Sequence, residues 1–149
     1  MISTRRERKG WQRSMKLLID ANVLLDVLQN RKDFVQASSL VWKLCETQQA
    51  EGYVSALTFA NMVYVMRKEL DPGTIEEVLR MLSLIFEFTE LAPGDLMRAA
   101  GLQWSDFEDA LQSVTAERVH ADHIITRNAR DFKNSRVPAF TPAELLNRI

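Results

Sequence analysis

LLIDANVLLD, residues 17–26, reads as a short apolar strand that ends on an acid and turns at once into an amphipathic helix. The same order of strand, turn and acid returns at HIITRNARDF, residues 123–132. In an open α/β sheet, ligands bind in the crevice outside the carboxyl ends of the strands. If these two strands lie side by side and parallel, Asp20 and Asp131 converge at that end of the sheet.

Outward from these blocks, short apolar strands alternate with longer helical patterns, which marks an α/β fold with a parallel sheet flanked by helices. Strands are expected at 16–19, 52–55, 87–91, 123–126 and 138–140. Between the first two, Phe34, Ala37, Val41, Leu44 and Cys45 recur at helical spacing and define a buried stripe. Phe59, Met62, Val63, Met66 and Leu70 do the same for LTFANMVYVMRKEL, residues 57–70, which Asp71, Pro72 and Gly73 terminate. Thr74 with Glu77, and Ser105 with Glu108, have capping-box spacing. Thr141, Pro142 and Glu144 mark a last helix start, with proline at the first helical position. No internal repeat, low-complexity segment or interdomain linker interrupts the pattern.

A chain of 149 residues is long enough for one domain with a single core. Its apolar runs, such as LSLIF, are far too short to cross a bilayer, so a membrane location is not expected. Cys45 is the one cysteine and sits at helical spacing in VWKLC, which points to a small core residue in a reducing, cytoplasmic compartment. The net charge of −1 is unevenly spread: residues 1–15 carry five cations against Glu7, +4, which leaves −5 for the remainder. That basic segment lacks apolar periodicity and reads as a flexible tail ahead of a domain at 16–149, with Met15 a candidate natural start.

The acids carry the chemistry. Asp20 is placed either to cap a helix, by accepting from free amides, or to ligate. Asp26, one to two turns on, is expected to be solvated or paired. In WSDFEDALQ, Asp106, Glu108 and Asp109 crowd the first turn of a helix, where they stabilise its dipole; Asp106 and Asp109 share a face, with Asp109 the preferred ligand. Asp131 follows TRNAR in a turn. Carboxylates gathered in a cleft repel and are driven toward protonation unless a cation neutralises them. A hard divalent ion with oxygen ligands, Mg2+ or Mn2+, answers that requirement. It can polarise a phosphoryl oxygen, lower the pKa of a water and orient attack on a phosphodiester. Arg127 and Arg130, with Arg67, Lys68 and Lys133 behind them, are candidate contacts to flanking phosphates.

Other constellations are weaker. His120 and His123 lack the cysteine partners of typical zinc spacing. The glycine-rich phosphate loops and the GxSxG elbow are absent. A phosphatase of the haloacid-dehalogenase type, with Asp20 as nucleophile, would need an acid where Asn22 stands.

Four blocks in order, LLIDANVLLDVL, SALTFANMVYVMRK, DFEDALQ and IITRNARDF, resemble those of PIN domains, specifically the VapC-like ribonucleases. The resemblance implies a three-layer fold with about five parallel strands, and Asp20, Asp109 and Asp131 as metal-binding catalytic acids. It places Asn22 in the first motif and Thr126 and Asn128 in the T-R-N turn; Asn61 or Asp106 is expected to complete or support the shell. It also implies RNA hydrolysis with Mg2+ or Mn2+, dimerisation, and silencing by an antitoxin protein. The sequence departs from the pattern at Asn61, where many relatives have glutamate. A neutral amide can ligate or hydrogen-bond but supplies no charge, which lowers the expected metal affinity and motivates an alternative, a catalytically weak RNA-binding or partner-binding module.

Overall fold

The computed structural model describes residues 14–149; the 1–15 segment expected to be a tail lies almost entirely outside the described residues. Five strands, β1 (Met15–Ile19), β2 (Ala50–Ser55), β3 (Glu87–Thr89), β4 (His123–Ile125) and β5 (Ala139–Phe140), form one sheet in the order β3-β2-β1-β4-β5. Every pairing is parallel, with Leu18 opposite Tyr53 on one side and Ile124 on the other. The chain lays down β1, β2 and β3 toward one edge, then returns to build β4 and β5 toward the other. The reversal falls between β1 and β4, so the crevice expected for a ligand opens beyond Ile19 and Ile125.

Seven α-helices are described: α1 (Ala21–Leu28), α2 (Val35–Glu46), α3 (Ala56–Met66), α4 (Pro72–Ile85), α5 (Pro93–Leu102), α6 (Phe107–Arg118) and α7 (Pro142–Leu146). The period of two in β1 divides the core. Leu17 and Ile19 pack with Val41, Met62, Leu82 and Leu145 on one face, while Leu18 packs with Ala116, Ile124 and Phe132 on the other. A strand covered on both faces reads as an unbroken apolar run, which is why KLLI carries no alternation. Helix α6 is locked to α5 through Ala99, Ala110, Leu111 and Val114. This is the expected three-layer architecture.

Gly52 in β2 permits the closest approach in the core. A Cβ there would stand 2.7 Å from both Cys45 Sγ and Phe86 Cδ1, so only a residue without a side chain lets α2 and the end of α4 settle onto the strand.

Several local expectations are corrected. Helix α4 is capped by Asp71, whose Oδ1 accepts the Thr74 amide at 2.7 Å, rather than by Thr74. Helix α6 is capped by Asp106, which accepts the Asp109 amide at 3.0 Å, rather than by Ser105. In both cases an aspartate stands one turn before a free amide and its carboxylate is the stronger acceptor. Thr141 and Glu144 form the expected box. Phe34 is not in the buried stripe; it precedes α2, is 42% exposed, and lies under the Arg127 guanidinium at 4.2 Å. The α3 pattern stops being helical at Met66, and Leu70 reaches the core from the turn that follows.

Candidate active site

Asp20 follows β1 and caps α1, so the capping reading holds. Oδ1 accepts the Ala21 amide at 2.9 Å, and Oδ2 accepts the Thr126 hydroxyl at 2.9 Å. Its own amide donates to the Ile125 carbonyl at 2.9 Å, which pins the acid to the end of β4. Asp20 keeps one side partly open. Protein atoms nonetheless crowd it enough that desolvation raises its pKa, against three hydrogen bonds that lower it, with the Asp106 charge adding to the rise.

Gln112, on α6, is a component that sequence reasoning missed. It is 4% exposed, and its Nε2 lies 3.4 Å from Asp20 Oδ1 and 3.1 Å from Thr58 Oγ1, while its Oε1 accepts the Ser55 hydroxyl at 2.9 Å. A buried amide with all these partners is a satisfied network rather than a defect. The available signal was its position three residues after Asp109, a polar side chain on the helix face that follows the acid.

Asp109 lies in the first turn of α6. Its pKa is pushed up to about 6, first by desolvation and then by the charges of Asp106, Asp20, Asp131 and Glu108 in that order. The structure thus brings the three acids expected from sequence, Asp20, Asp109 and Asp131, into one electrostatic neighbourhood. Asp131 sits exposed in a 3-10 turn, Ala129–Phe132, tied back by its amide to the Asn128 carbonyl at 3.0 Å. Asp106, Asp109 and Asp131 line a cavity of about 800 Å³ together with Trp104, Arg130 and Lys133.

The remaining expected residues fall around these acids. Thr126 is fully buried, donates to Asp20 and accepts the Asn128 amide at 3.2 Å, so the T-R-N turn is held against β1 through one hydroxyl. Asn22 accepts the Arg127 amide at 3.4 Å and pins the same turn from α1. Asn61 reaches across to α6 and donates to Glu108 Oε2 at 3.3 Å. Arg127 does not face the cavity. Its Nε lies 3.4 Å from Asp26 Oδ1, and Asp26 is wholly buried rather than solvated, with Arg31 at 3.6 Å and the Ser38 hydroxyl donating at 2.9 Å.

The oxygens are gathered but not drawn into a cage: among the described residues, no three His, Cys, Asp or Glu side chains are placed to hold a metal ion as they stand. The donor chemistry fits a hard cation all the same. Burial and the neighbouring like charges both disfavour the ionised Asp109 carboxylate, and a bound cation relieves both. His120 and His123 contribute nothing here; His123 starts β4 and packs against the Phe140 ring.

A family model described as PIN domain matches residues 16–130. The fold is similar to a toxin-antitoxin complex from Klebsiella pneumoniae, at 21% identity and TM-score 0.64, covering 85% of this chain and 97% of that one. It is also similar to VapBC-1 from nontypeable Haemophilus influenzae, at 13% identity and TM-score 0.66 over 87% and 99% of the two chains. Mycobacterium tuberculosis VapC20, described as a Sarcin-Ricin loop cleaving toxin, superposes at TM-score 0.60 with 8% identity over 72% of this chain and 86% of its own. No curated protein matches the sequence. The likeness to these structures is one of fold, and the match over 16–130 decides membership: the chain belongs to the PIN domain family.

Proposed function

We propose that the protein is a divalent-metal-dependent endoribonuclease that hydrolyses RNA phosphodiesters, and that it is the toxin of a toxin–antitoxin pair. The observation that carries this reading is the gathering of Asp106, Asp109 and Asp131 around one cavity, with Asp20 pinned at the adjoining strand ends, an arrangement in which burial and neighbouring acids push the Asp109 carboxyl up to about 6. Such an arrangement is costly for folding and is suited to holding a cation against a polyanion. PIN domains are generally nucleases, and of the proteins of this fold one is described as a toxin-antitoxin complex and another as a Sarcin-Ricin loop cleaving toxin, which supports a toxin with an antitoxin as partner. A homodimer and a cytoplasmic location belong to the same reading. Among the described residues no helix is long and apolar enough to cross a membrane.

Asp20, Asp109 and Asp131 would hold Mg2+ or Mn2+, which when bound supplies Lewis acidity toward the phosphoryl oxygen and acidifies a water. The chain's own residues prepare that site. Thr126 and Gln112 fix the two oxygens of Asp20, so its carboxylate is pre-oriented rather than free to rotate. Asp106 holds the first turn of α6 through the Asp109 amide and thereby sets where Asp109 points. Asn22 and Thr126 fix the T-R-N turn that leads to Asp131. Arg130 and Lys133, beside Asp131 in the cavity, offer cations to the phosphate, whereas Arg127 is committed to Asp26.

The test is cleavage of total RNA with Mg2+ and Mn2+ titrated, comparing wild type with Asp20→Asn and Asp109→Asn. Metal-dependent cleavage by wild type, lost in both variants with fold retained, is expected. Equal cleavage by all three indicates contamination and removes the proposal. Asn61 favours a second reading, because its amide is spent on Glu108 and adds no charge to the site. In that reading the protein retains RNA or a protein partner without turnover even at high Mn2+, and Asn61→Glu restores cleavage.

A further inference from the structure

The acid cavity does not end at Lys133. Asn134 lines it as well and also lines a second cavity of about 370 Å³, whose walls include Arg98 on α5, Ser113 and Glu117 on α6, and Arg136. In this second cavity two guanidiniums share one carboxylate: Arg98 Nη2 lies 3.3 Å from Glu117 Oε2, and Arg136 Nη1 lies 3.2 Å from Oε1. Each carboxylate oxygen takes one arginine, which leaves a net positive charge. Their side chains are 49% and 84% exposed, and Glu117 is the partner each is seen to have among the described residues. A guanidinium carries five N–H donors in a fixed fork, so most of those on both arginines remain free for a phosphate.

We propose that Arg98 and Arg136 form a second phosphate subsite, so that the cleft takes a single RNA strand running from the acid cavity past Asn134 rather than a mononucleotide. The proposal rests on reading the acid site as one that cleaves RNA. Three features of the cleft fit a strand. The acid cavity lies within the range of about 300–1,000 Å³ typical of small-ligand pockets, and the second cavity adjoins it through a shared wall. Cations accompany the track on both sides of Asn134, Arg130 and Lys133 before it and the arginine pair after it. Trp104, set edge-on to Phe132 with centroids 6.2 Å apart, lines the acid cavity where a base can stack. Glu117 neutralises one of the two charges and leaves the pair with a net positive charge.

The test measures binding of fluorescein-labelled oligouridylates of two and eight nucleotides by anisotropy across a salt series. It uses the cleavage-silent Asp20→Asn protein as background. Replacing both Arg98 and Arg136 by alanine is expected to weaken octamer binding by tenfold or more, to leave the dinucleotide unchanged, and to cut the log–log salt slope by about 1.4, the loss of two single-strand phosphate contacts. Glu117→Gln separates a phosphate role from a structural one: it removes the ion pairs but keeps both cations, so octamer affinity should hold or rise. An unchanged octamer affinity and slope in the double variant overturns the subsite, as does an equal loss in Glu117→Gln. Cleavage by wild type that is indifferent to the two arginines removes the track and leaves the nuclease. Arginine-dependent octamer binding without cleavage in any metal removes the nuclease and leaves the track.

Discussion

Asp109→Asn should make the protein more stable without metal and less stable with it. The folded protein holds Asp109 at about 6 instead of 3.8, and a raised carboxyl pKa means the folded state binds the proton more tightly than the unfolded chain. Stability from this group is fully present below 3.8 and is lost as pH rises through about 6; at pH 7.5 the ionised side chain is a net cost. Converted directly, that shift is about 3 kcal/mol. Asp109 is partly open to solvent, which screens the repulsion, so about 1 kcal/mol is the working figure. For a chain of this length, about 1 kcal/mol moves the midpoint by about 3 °C. Thermal unfolding in EDTA at pH 7.5 should therefore place Asp109→Asn about 3 °C above wild type, with the gap closing as pH falls toward 4. In Mn2+ at a hundred times its Kd, wild type gains about 2.7 kcal/mol and the variant much less, so the order reverses. A variant less stable than wild type in both buffers, or a gap independent of pH, would refute the argument that burial and like charges together disfavour this ionised carboxyl.

Arg127→Met strips the nearer cation from wholly buried Asp26 and should cost about 3 kcal/mol in urea unfolding, with Asp26→Asn in the same chain recovering part of it. Gly52→Ala drives a methyl to 2.7 Å from Cys45 Sγ and Phe86 Cδ1, and should cost about 1–3 kcal/mol by the same assay; adding Cys45→Ala should return some of that. Gln112→Leu removes partners from Ser55, Thr58 and Asp20 and should destabilise by about 1–3 kcal/mol. It should also weaken Mn2+ binding measured by calorimetry, because Oδ1 of Asp20 keeps only the Ala21 amide to orient it. Thr141→Ala, which opens the capping box of α7, should cost about 1 kcal/mol and leave metal binding unchanged.

The strand-ending acid of LLIDANVLLD was legible because a fully covered parallel strand must be apolar throughout, and an aspartate directly behind it can only fall at the carboxyl end of the sheet. The same argument applied to HIITRNARDF located Asp131, and acid crowding in DFEDALQ located the first turn of α6. Long-range pairing was not legible. Asp26 and Arg127 are 101 positions apart, and only the packing of the T-R-N turn against α1 turns two apparent surface charges into a buried pair. Gln112 carries only a weak signal, its position three residues after Asp109, and its role is hidden because its partners come from β2, α3 and the end of β1. Caps were misplaced by a few residues because Thr74 and Ser105 have suitable spacing, but competition with nearby aspartates is decided by backbone geometry.

The sequence by itself determined the order of strands and helices and the acids that stand at their ends, because hydrophobic period and strand-end position are local properties of the chain. Tertiary structure decided that β4 returns beside β1, and with that return Asp20, Asp109 and Asp131 come to bear on one another. It also decided which charges face the cleft and which are buried. Electrostatic energy depends on distance through space and on exclusion of water, and neither is written in the order of residues.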